Sequence, residues 1–360
     1  MNTPQKSLET KITNILTNPS CPDFILVDAK DADMAFGLAA PGILSEPFAE
    51  DQTFRTMEFY REQILGIVED GNIDIMLMSA STNAQLTIDW KIFKSSSVTP
   101  AVRMNDTTDI WLSAGTGSYS TQPPLPFSTC TIKEAQYGRN PTENITDATS
   151  SDAVPGSNLG LFSLTLNDRA NIDRPMLDAY KNFRLDAELK NFKHFLEIFY
   201  PNCEESRRQI PDLDRFIADQ AVRCLAGIPQ KNRPLFLKIP YLRPAVMEQL
   251  ANYDKSLIVG VLGGSSGTTC DAFALAANAK KHGARAAIFG RKINSAEDQR
   301  LFIRFLRAVI DDELSPEEAV RGYHAELEKK SITPNRDLCD DLIRTQETRT
   351  RTNVKIKYTT

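Results

Sequence analysis

Histidine is almost missing from this sequence, with three in 360 residues. His194, His282 and His324 fall on separate segments, so a histidine-built zinc site is not expected. The six cysteines (Cys21, Cys130, Cys203, Cys224, Cys270, Cys339) contain no CxxC pair. That argues against a zinc knuckle or a disulfide framework and leads us to expect a cytoplasmic setting. No apolar run approaches the ~18 residues that a spanning helix needs, and the N-terminal segment lacks the basic and apolar regions of a secretory leader. The glycosylation-like triplets at Asn105 and Asn144 therefore carry no weight. Positive charge is not in excess either: 42 Lys and Arg stand against 47 Asp and Glu. Neither nucleic acid nor a membrane is an expected partner. G-x-S-x-G, HExxH and Walker motifs are absent.

What is present is a rhythm. Short apolar runs at Phe24 to Val27, Ile73 to Ser79, Val98 to Met104, Leu159 to Leu166, Phe195 to Tyr200, Leu235 to Pro240, Leu257 to Leu262 and Ala286 to Phe289 read as strands. Helical patterns near 53–70, 82–93, 173–190, 212–226, 243–253, 269–282 and 296–311 separate or follow them, with Pro175 read as a first-turn proline. Strands too short and too apolar to face water imply a parallel sheet covered by helices. A count of eight favours a closed (β/α)8 TIM barrel over an open doubly wound sheet.

The expected organisation is one α/β barrel domain over 1–330, opened by an amphipathic N-terminal helix. A Pro-, Ser- and Gly-rich loop over 105–157 interrupts it after the third strand, read either as a lid on the catalytic face or as a packed decoration. A C-terminal helix near 315–330 opens with Ser315-Pro-Glu-Glu, and a polar tail over 331–360 is expected to be an arm or a frayed end.

In such a barrel chemistry lies where strands end. Lys238 sits inside an apolar run, Leu235-Phe-Leu-Lys-Ile-Pro. A lysine held in a dry pocket favours its neutral, nucleophilic form; alternatively its stem packs and its head reaches water. Glu197, in Phe195-Leu-Glu-Ile, is a second ionisable group in an apolar run and makes with Lys238 either an acid/base and nucleophile pair or a buried ion pair. Asp28 and Lys30 close the first strand, Arg103 and Asn105 the third, and all are expected on the same face. Gly263, Gly264, Ser265 and Ser266 follow the seventh strand, and Gly290 with Arg291 the eighth. Loops at those two places form the usual phosphate site of barrel enzymes, although tight turns alone also call for glycine. The same glycines look like a dinucleotide fingerprint, but its further glycine near Thr269 is missing and no Tyr-x-x-x-Lys follows.

With these residues in order, the sequence resembles the class I (Schiff-base) aldolase superfamily, which holds deoxyribose-phosphate, archaeal-type fructose-bisphosphate and tagatose-bisphosphate aldolases. Phe195-Leu-Glu-Ile is similar to its strand-five motif, Leu237-Lys-Ile-Pro-Tyr to its strand-six lysine motif, and Gly263-Gly-Ser-Ser with Phe289-Gly-Arg to its phosphate-binding end. Leu26-Val-Asp resembles its strand-one aspartate, and Ala101-Val-Arg-Met-Asn-Asp-Thr-Thr its strand-three segment.

The resemblance implies that Lys238 forms an iminium with a substrate carbonyl, that Asp28 or Glu197 moves protons, and that the two glycine loops hold a phosphate. The expected partner is a phosphorylated sugar or keto-acid, bound without metal or other cofactor, in a homo-oligomer. Leu159-Gly-Leu-Phe-Ser-Leu-Thr-Leu lacks the lysine or tyrosine that superfamily members use on the fourth strand, so the resemblance supplies no proton relay there. The loop and the C-terminal extension also depart from the familiar sugar-phosphate enzymes, as in an uncharacterised branch. A sugar-phosphate isomerase or epimerase working without an imine, and a non-catalytic barrel that binds a phosphorylated metabolite, remain as alternatives.

Overall fold

Eight of the apolar runs pair side by side, every pair parallel, and the sheet closes on itself in the order β1-β8-β7-β6-β5-β4-β3-β2. The strands are β1 (Ile25–Lys30), β2 (Ile75–Met78), β3 (Thr99–Arg103), β4 (Leu159–Thr165), β5 (Lys193–Phe199), β6 (Leu237–Ile239), β7 (Val259–Leu262) and β8 (Ala286–Phe289). This computed structural model describes residues 4–18, 20–44, 53–111, 117–140, 154–264 and 267–345. The (β/α)8 barrel expected from the alternation is the observed fold.

Successive side chains of a strand face opposite ways, and here that divides the core in two. Ile25, Val27, Ile75, Leu77, Ala101, Leu161, Phe195, Phe236 and Ile288 fill the barrel interior. Leu26, Met76, Leu164, Leu196, Leu237, Val259 and Phe289 pack instead under the surrounding helices. Both faces are dry, which is why the strands read as continuous apolar runs rather than alternating ones.

Helix α1 (Ser7–Thr17) is joined to the barrel by Lys6, whose ammonium donates to the carbonyls of Phe93, Ser96 and Val98, and by Leu8, which packs with the interior residues. Several helix limits differ from the sequence expectation for local reasons. The helix expected at 82–93 begins at Ala80, where the Ser79 hydroxyl accepts from Thr82 N–H. It widens over Ala84–Asp89 into a π-helical turn, with Trp90 N–H donating to Gln85 O. Helix α2 (Ala170–Leu189) starts before Asp173, because the Asp173 carboxylate accepts from the Asn167 and Arg169 amides. Pro175 is therefore inside the helix, and the carbonyl it leaves without a donor belongs to Asn171, an exposed residue. The pattern at 296–311 is one helix, α5 (Gln299–Ile310), capped by Asp298, and a short helix that was not expected, α4 (Arg291–Asn294), precedes it.

For the polar tail the sequence leaves an arm or a frayed end open, and its described last part, 338–345, is an arm. Helix α6 (Pro316–Lys329) carries the expected capping box, but residues 338–345 do not fray. They dock on the start of α3 (Thr269–Lys281), the helix after β7. Thr269 N–H donates to the Asp341 carboxylate at 2.7 Å, Thr268 Oγ1 to Ile343 O at 2.8 Å and Thr345 Oγ1 to Asp271 at 2.5 Å. Helix-start amides have no partner within their own helix, and the tail supplies one. Residues 346–360 lie outside the described residues.

Candidate active site

Lys238 and Glu197 occupy paired positions on β6 and β5. Both share strand parity with interior residues, Phe236 and Phe195, so their side chains enter the barrel near its C-terminal edge. Nζ of Lys238 lies 2.6 Å from Oε1 of Glu197, and both side chains are buried. The second oxygen, Oε2, accepts from Ser163 Oγ on β4 at 2.7 Å and from Arg103 on β3 at 3.3 Å. Burial alone would raise the carboxyl; Lys238 and Arg103 together outweigh it and hold Glu197 below the usual carboxylate range.

Arg103 is the hub. Its Nε donates to Asp31 at 2.5 Å, and NH1 to Ser163 Oγ at 2.8 Å and to the Asn105 carbonyl at 3.4 Å. Its guanidinium also stacks 3.7 Å from the centre of the Trp111 ring. Asn105 clamps the neighbouring strand at both polar groups, donating to Ser163 O at 2.9 Å and accepting from Ser163 N–H at 2.6 Å. This continues the β3–β4 ladder by one residue through a side chain and fixes where the following loop begins.

Of the expected site residues, the structure brings together Lys238, Glu197, Arg103 and Asn105. It does not place Asp28 or Lys30 with them. Both share parity with Leu26, so they point outward beneath the helices, 3.8 Å from each other. Lys30 donates to Gln299 Oε1 at 2.6 Å, and Asp28, fully buried without a hydrogen-bond donor among the described residues, is pushed up to about 6, chiefly by burial. The inward acid at the end of β1 is Asp31, three residues on. Asp31, Ser163, Asp106 and Trp111 were not singled out from the sequence. Asp31 follows Lys30, which was, and only parity separates it from Asp28 as the acid that turns inward.

Gly263 and Gly290 close β7 and β8 as expected. A Cβ on Gly263 would stand 2.2 Å from the Phe289 ring, and one on Gly290 would stand 3.0 Å from the Ala29 carbonyl oxygen. Gly264 has φ +61°, a left-handed conformation that favours glycine. These backbone demands account for the glycines in part. Arg291 opens α4 at the exposed rim of the barrel mouth, within the electrostatic reach of Glu197. Ser265 and Ser266 lie outside the described residues. Among the described residues no group of three His, Cys, Asp or Glu is arranged to hold a metal ion. His194 faces outward, bonded to Tyr180 Oη at 2.9 Å, and burial lowers it to about 3.

No protein-family profile matches the sequence, and no curated protein sequence does. Solved structures do match the fold. One is a Schiff-base-forming fructose-1,6-bisphosphate aldolase, 16% identical, with a TM-score of 0.56, covering 84% of this chain and 100% of its own. An archaeal fructose 1,6-bisphosphate aldolase is 16% identical at a TM-score of 0.55, over 85% of this chain and 100% of its own. A fructose-bisphosphate aldolase from Slackia heliotrinireducens is 14% identical at a TM-score of 0.60, over 91% and 94%. At such identities the likeness is one of fold.

Proposed function

We propose that this barrel is a Schiff-base-forming aldolase or lyase, which makes or breaks the carbon–carbon bond next to the carbonyl of a phosphorylated sugar or keto-acid, with Lys238 as the nucleophile. The observation that carries the reading is the 2.6 Å contact between Lys238 Nζ and Glu197 Oε1 at the C-terminal end of the barrel. A lysine reacts only as the free amine. Glu197 is anionic and in direct contact with Lys238, so it is placed to accept the proton that Lys238 must lose, and the Arg103 charge that holds it below the usual carboxylate range makes it the weaker base for it.

The steps balance. Lys238 passes a proton to Glu197, and the amine nitrogen adds to the carbonyl carbon. The carbinolamine hydroxyl takes the proton back from Glu197 and leaves as water, giving the iminium. A base then removes the proton of the hydroxyl on the β carbon, the Cα–Cβ bond breaks, and its electron pair flows to the iminium nitrogen. An aldehyde departs and an enamine stays on Lys238. Protonation of the enamine carbon and addition of water release the second product. Arg103 and Ser163 hold Oε2 of Glu197, which leaves Oε1 facing the lysine. The turns at Gly263, Gly264 and Gly290, with Arg291, are the proposed phosphate cradle. Schiff-base aldolases among the structures that share the fold support the same reading.

The test is borohydride trapping with a panel of sugar phosphates, dihydroxyacetone phosphate and pyruvate, read by intact mass and peptide mapping against Lys238→Met. A mass gain confined to Lys238 supports the imine and identifies the carbonyl half of the substrate. No adduct across the panel sinks it and leaves an isomerase with a carboxylate base, or a binding barrel.

A further inference from the structure

The sequence leaves the segment after β3 open between a lid on the catalytic face and a packed decoration. Its described parts are tied down at two places around the barrel mouth. Beyond the Asn105 clamp the chain pairs Asp106–Thr107 with Pro126–Phe127 and then turns sharply, the Ile110 and Trp111 amides both donating to the Thr107 carbonyl, at 3.1 and 3.0 Å. That turn carries Trp111 back over Arg103. Further along, Asn202, which follows β5, donates to the Ser120 and Gln122 carbonyls at 3.3 and 2.7 Å. The segment is thus held both at the end of β3 and beyond the end of β5, strands that flank β4 in the sheet.

A guanidinium donates only from its edge, and the edge of Arg103 is taken: Asp31 on Nε, Ser163 and Asn105 on NH1, Glu197 on NH2. Its faces take no hydrogen bond and are weakly hydrated, which suits them to an aromatic ring. The Trp111 ring, centred 3.7 Å from the guanidinium carbon, covers one of them. The anchor at Asp31 is short, 2.5 Å, whereas the bond to Glu197 Oε2 is 3.3 Å. A small tilt of the guanidinium about Nε would therefore keep the first bond, lose the second and free the carboxylate to turn. The ring blocks that tilt and keeps water from the covered face.

We propose that Trp111 is a positioning residue of the active site: packed on Arg103, it fixes the guanidinium, and through it the Glu197 carboxylate that faces Lys238. This rests on the imine reading and adds to it the group that holds the proton acceptor in place. The relay is three contacts long, from ring to guanidinium at 3.7 Å, from NH2 to Oε2 at 3.3 Å and from Oε1 to Lys238 Nζ at 2.6 Å. The start of the loop after β3 is on this account a working part of the site and not a decoration.

The test uses the full-length protein and the initial rate of borohydride trapping of dihydroxyacetone phosphate at Lys238, measured over a range of carbonyl concentration. Trp111→Leu should lower the maximal rate about tenfold or more, as misplacement of a reacting group does, with the half-saturating concentration kept within about twofold. Trp111→Phe retains an aromatic face for the cation and should stay within about threefold of wild type. In an Arg103→Lys background, which has no planar face to cover, Trp111→Leu should cost nothing further, because residues acting through one another are not additive. A ring that only filled space would cost the same in both backgrounds.

A spectroscopic arm keeps the native ring and does not depend on how the leucine variant folds. The chain has two tryptophans, so Trp90→Phe leaves Trp111 as the sole indole emitter. Trapping should shift its emission. Trp90, 43% exposed at the far end of the helix after β2, should show no shift when it is read in Trp111→Phe. Trapping by Trp111→Leu within about threefold of wild type, an equal loss in the Arg103→Lys background, a raised half-saturating concentration in place of a lowered rate, or an unchanged Trp111 emission each overturns the proposal and leaves the imine reading standing. If wild type traps no carbonyl, the imine reading fails and the role of Trp111 with it.

Discussion

Lys238 and Glu197 stand directly opposite each other on adjacent parallel strands, and their charged ends meet at 2.6 Å inside the barrel. The pair is buried, so taking two charges out of water is offset only by their mutual attraction and by the further bonds that Glu197 makes to Ser163 and Arg103.

Glu197→Gln leaves the buried Lys238 and Arg103 facing each other without the carboxylate between them. Breaking a buried pair from one side costs about 3–5 kcal/mol, so urea unfolding should show a loss of that order. Imine trapping should slow by about 10²-fold. Trapping at the wild-type rate would remove Glu197 from the proposed chemistry.

Asp106→Asn should make the protein more stable, because Asp106 is buried with Oδ1 unpartnered among the described residues. A carboxyl held near 7 in the fold, against an ordinary value of 3.8, favours folding fully below pH 3.8, and that advantage is lost as pH rises through about 7. At pH 8 the wild type therefore bears the whole cost of ionising a buried group, on the order of 4 kcal/mol at about 1.4 kcal/mol per unit. The variant should gain most over wild type at pH 8 and little at pH 4, as denaturant melts at the two pH values will show.

Gly263→Ala cannot be accommodated without movement of the Phe289 ring, which a Cβ would approach to 2.2 Å. Overpacking of this kind costs about 1–3 kcal/mol. Because the turn belongs to the proposed phosphate cradle, KM should rise for a phosphorylated substrate and stay nearly unchanged for its dephosphorylated analogue. An equal rise for both would separate this loop from phosphate binding.

Asp341→Ala should loosen the start of α3. Asp341 accepts from the Thr269 amide and pairs with His324 at 3.0 Å. Burial would raise its carboxyl, but these bonds prevail and hold it below 3.8. Its stabilising contribution is thus present above that value and is lost as pH falls through the lower folded one. Removal should cost about 1–2 kcal/mol at neutral pH, with the difference from wild type shrinking in acid, measurable by thermal melts at pH 7 and pH 3.

Single charges in otherwise apolar runs were legible from the sequence, and so were Lys238, Glu197 and Arg103. Burying a lone ion in a barrel strand is costly enough that its position alone marks it. The first strand offered no such contrast. Ile25-Leu26-Val27-Asp28-Ala29-Lys30 is dry on both faces, so apolar alternation could not say whether Asp28 or Asp31 turns inward. Ser163, an uncharged residue in β4, gave no signal, since its role is to bond Glu197 and Arg103, which are distant in sequence.

Local periodicity by itself determined the eight strands, most of the helices and hence the barrel, because spacing of apolar residues is a property of neighbours in the chain. Tertiary structure alone decided which acids turn into the barrel and that the segment after α6 docks on α3 instead of fraying. Those outcomes depend on closure of the sheet, which sets the facing of every strand at once and brings together side chains that no spacing along the chain relates.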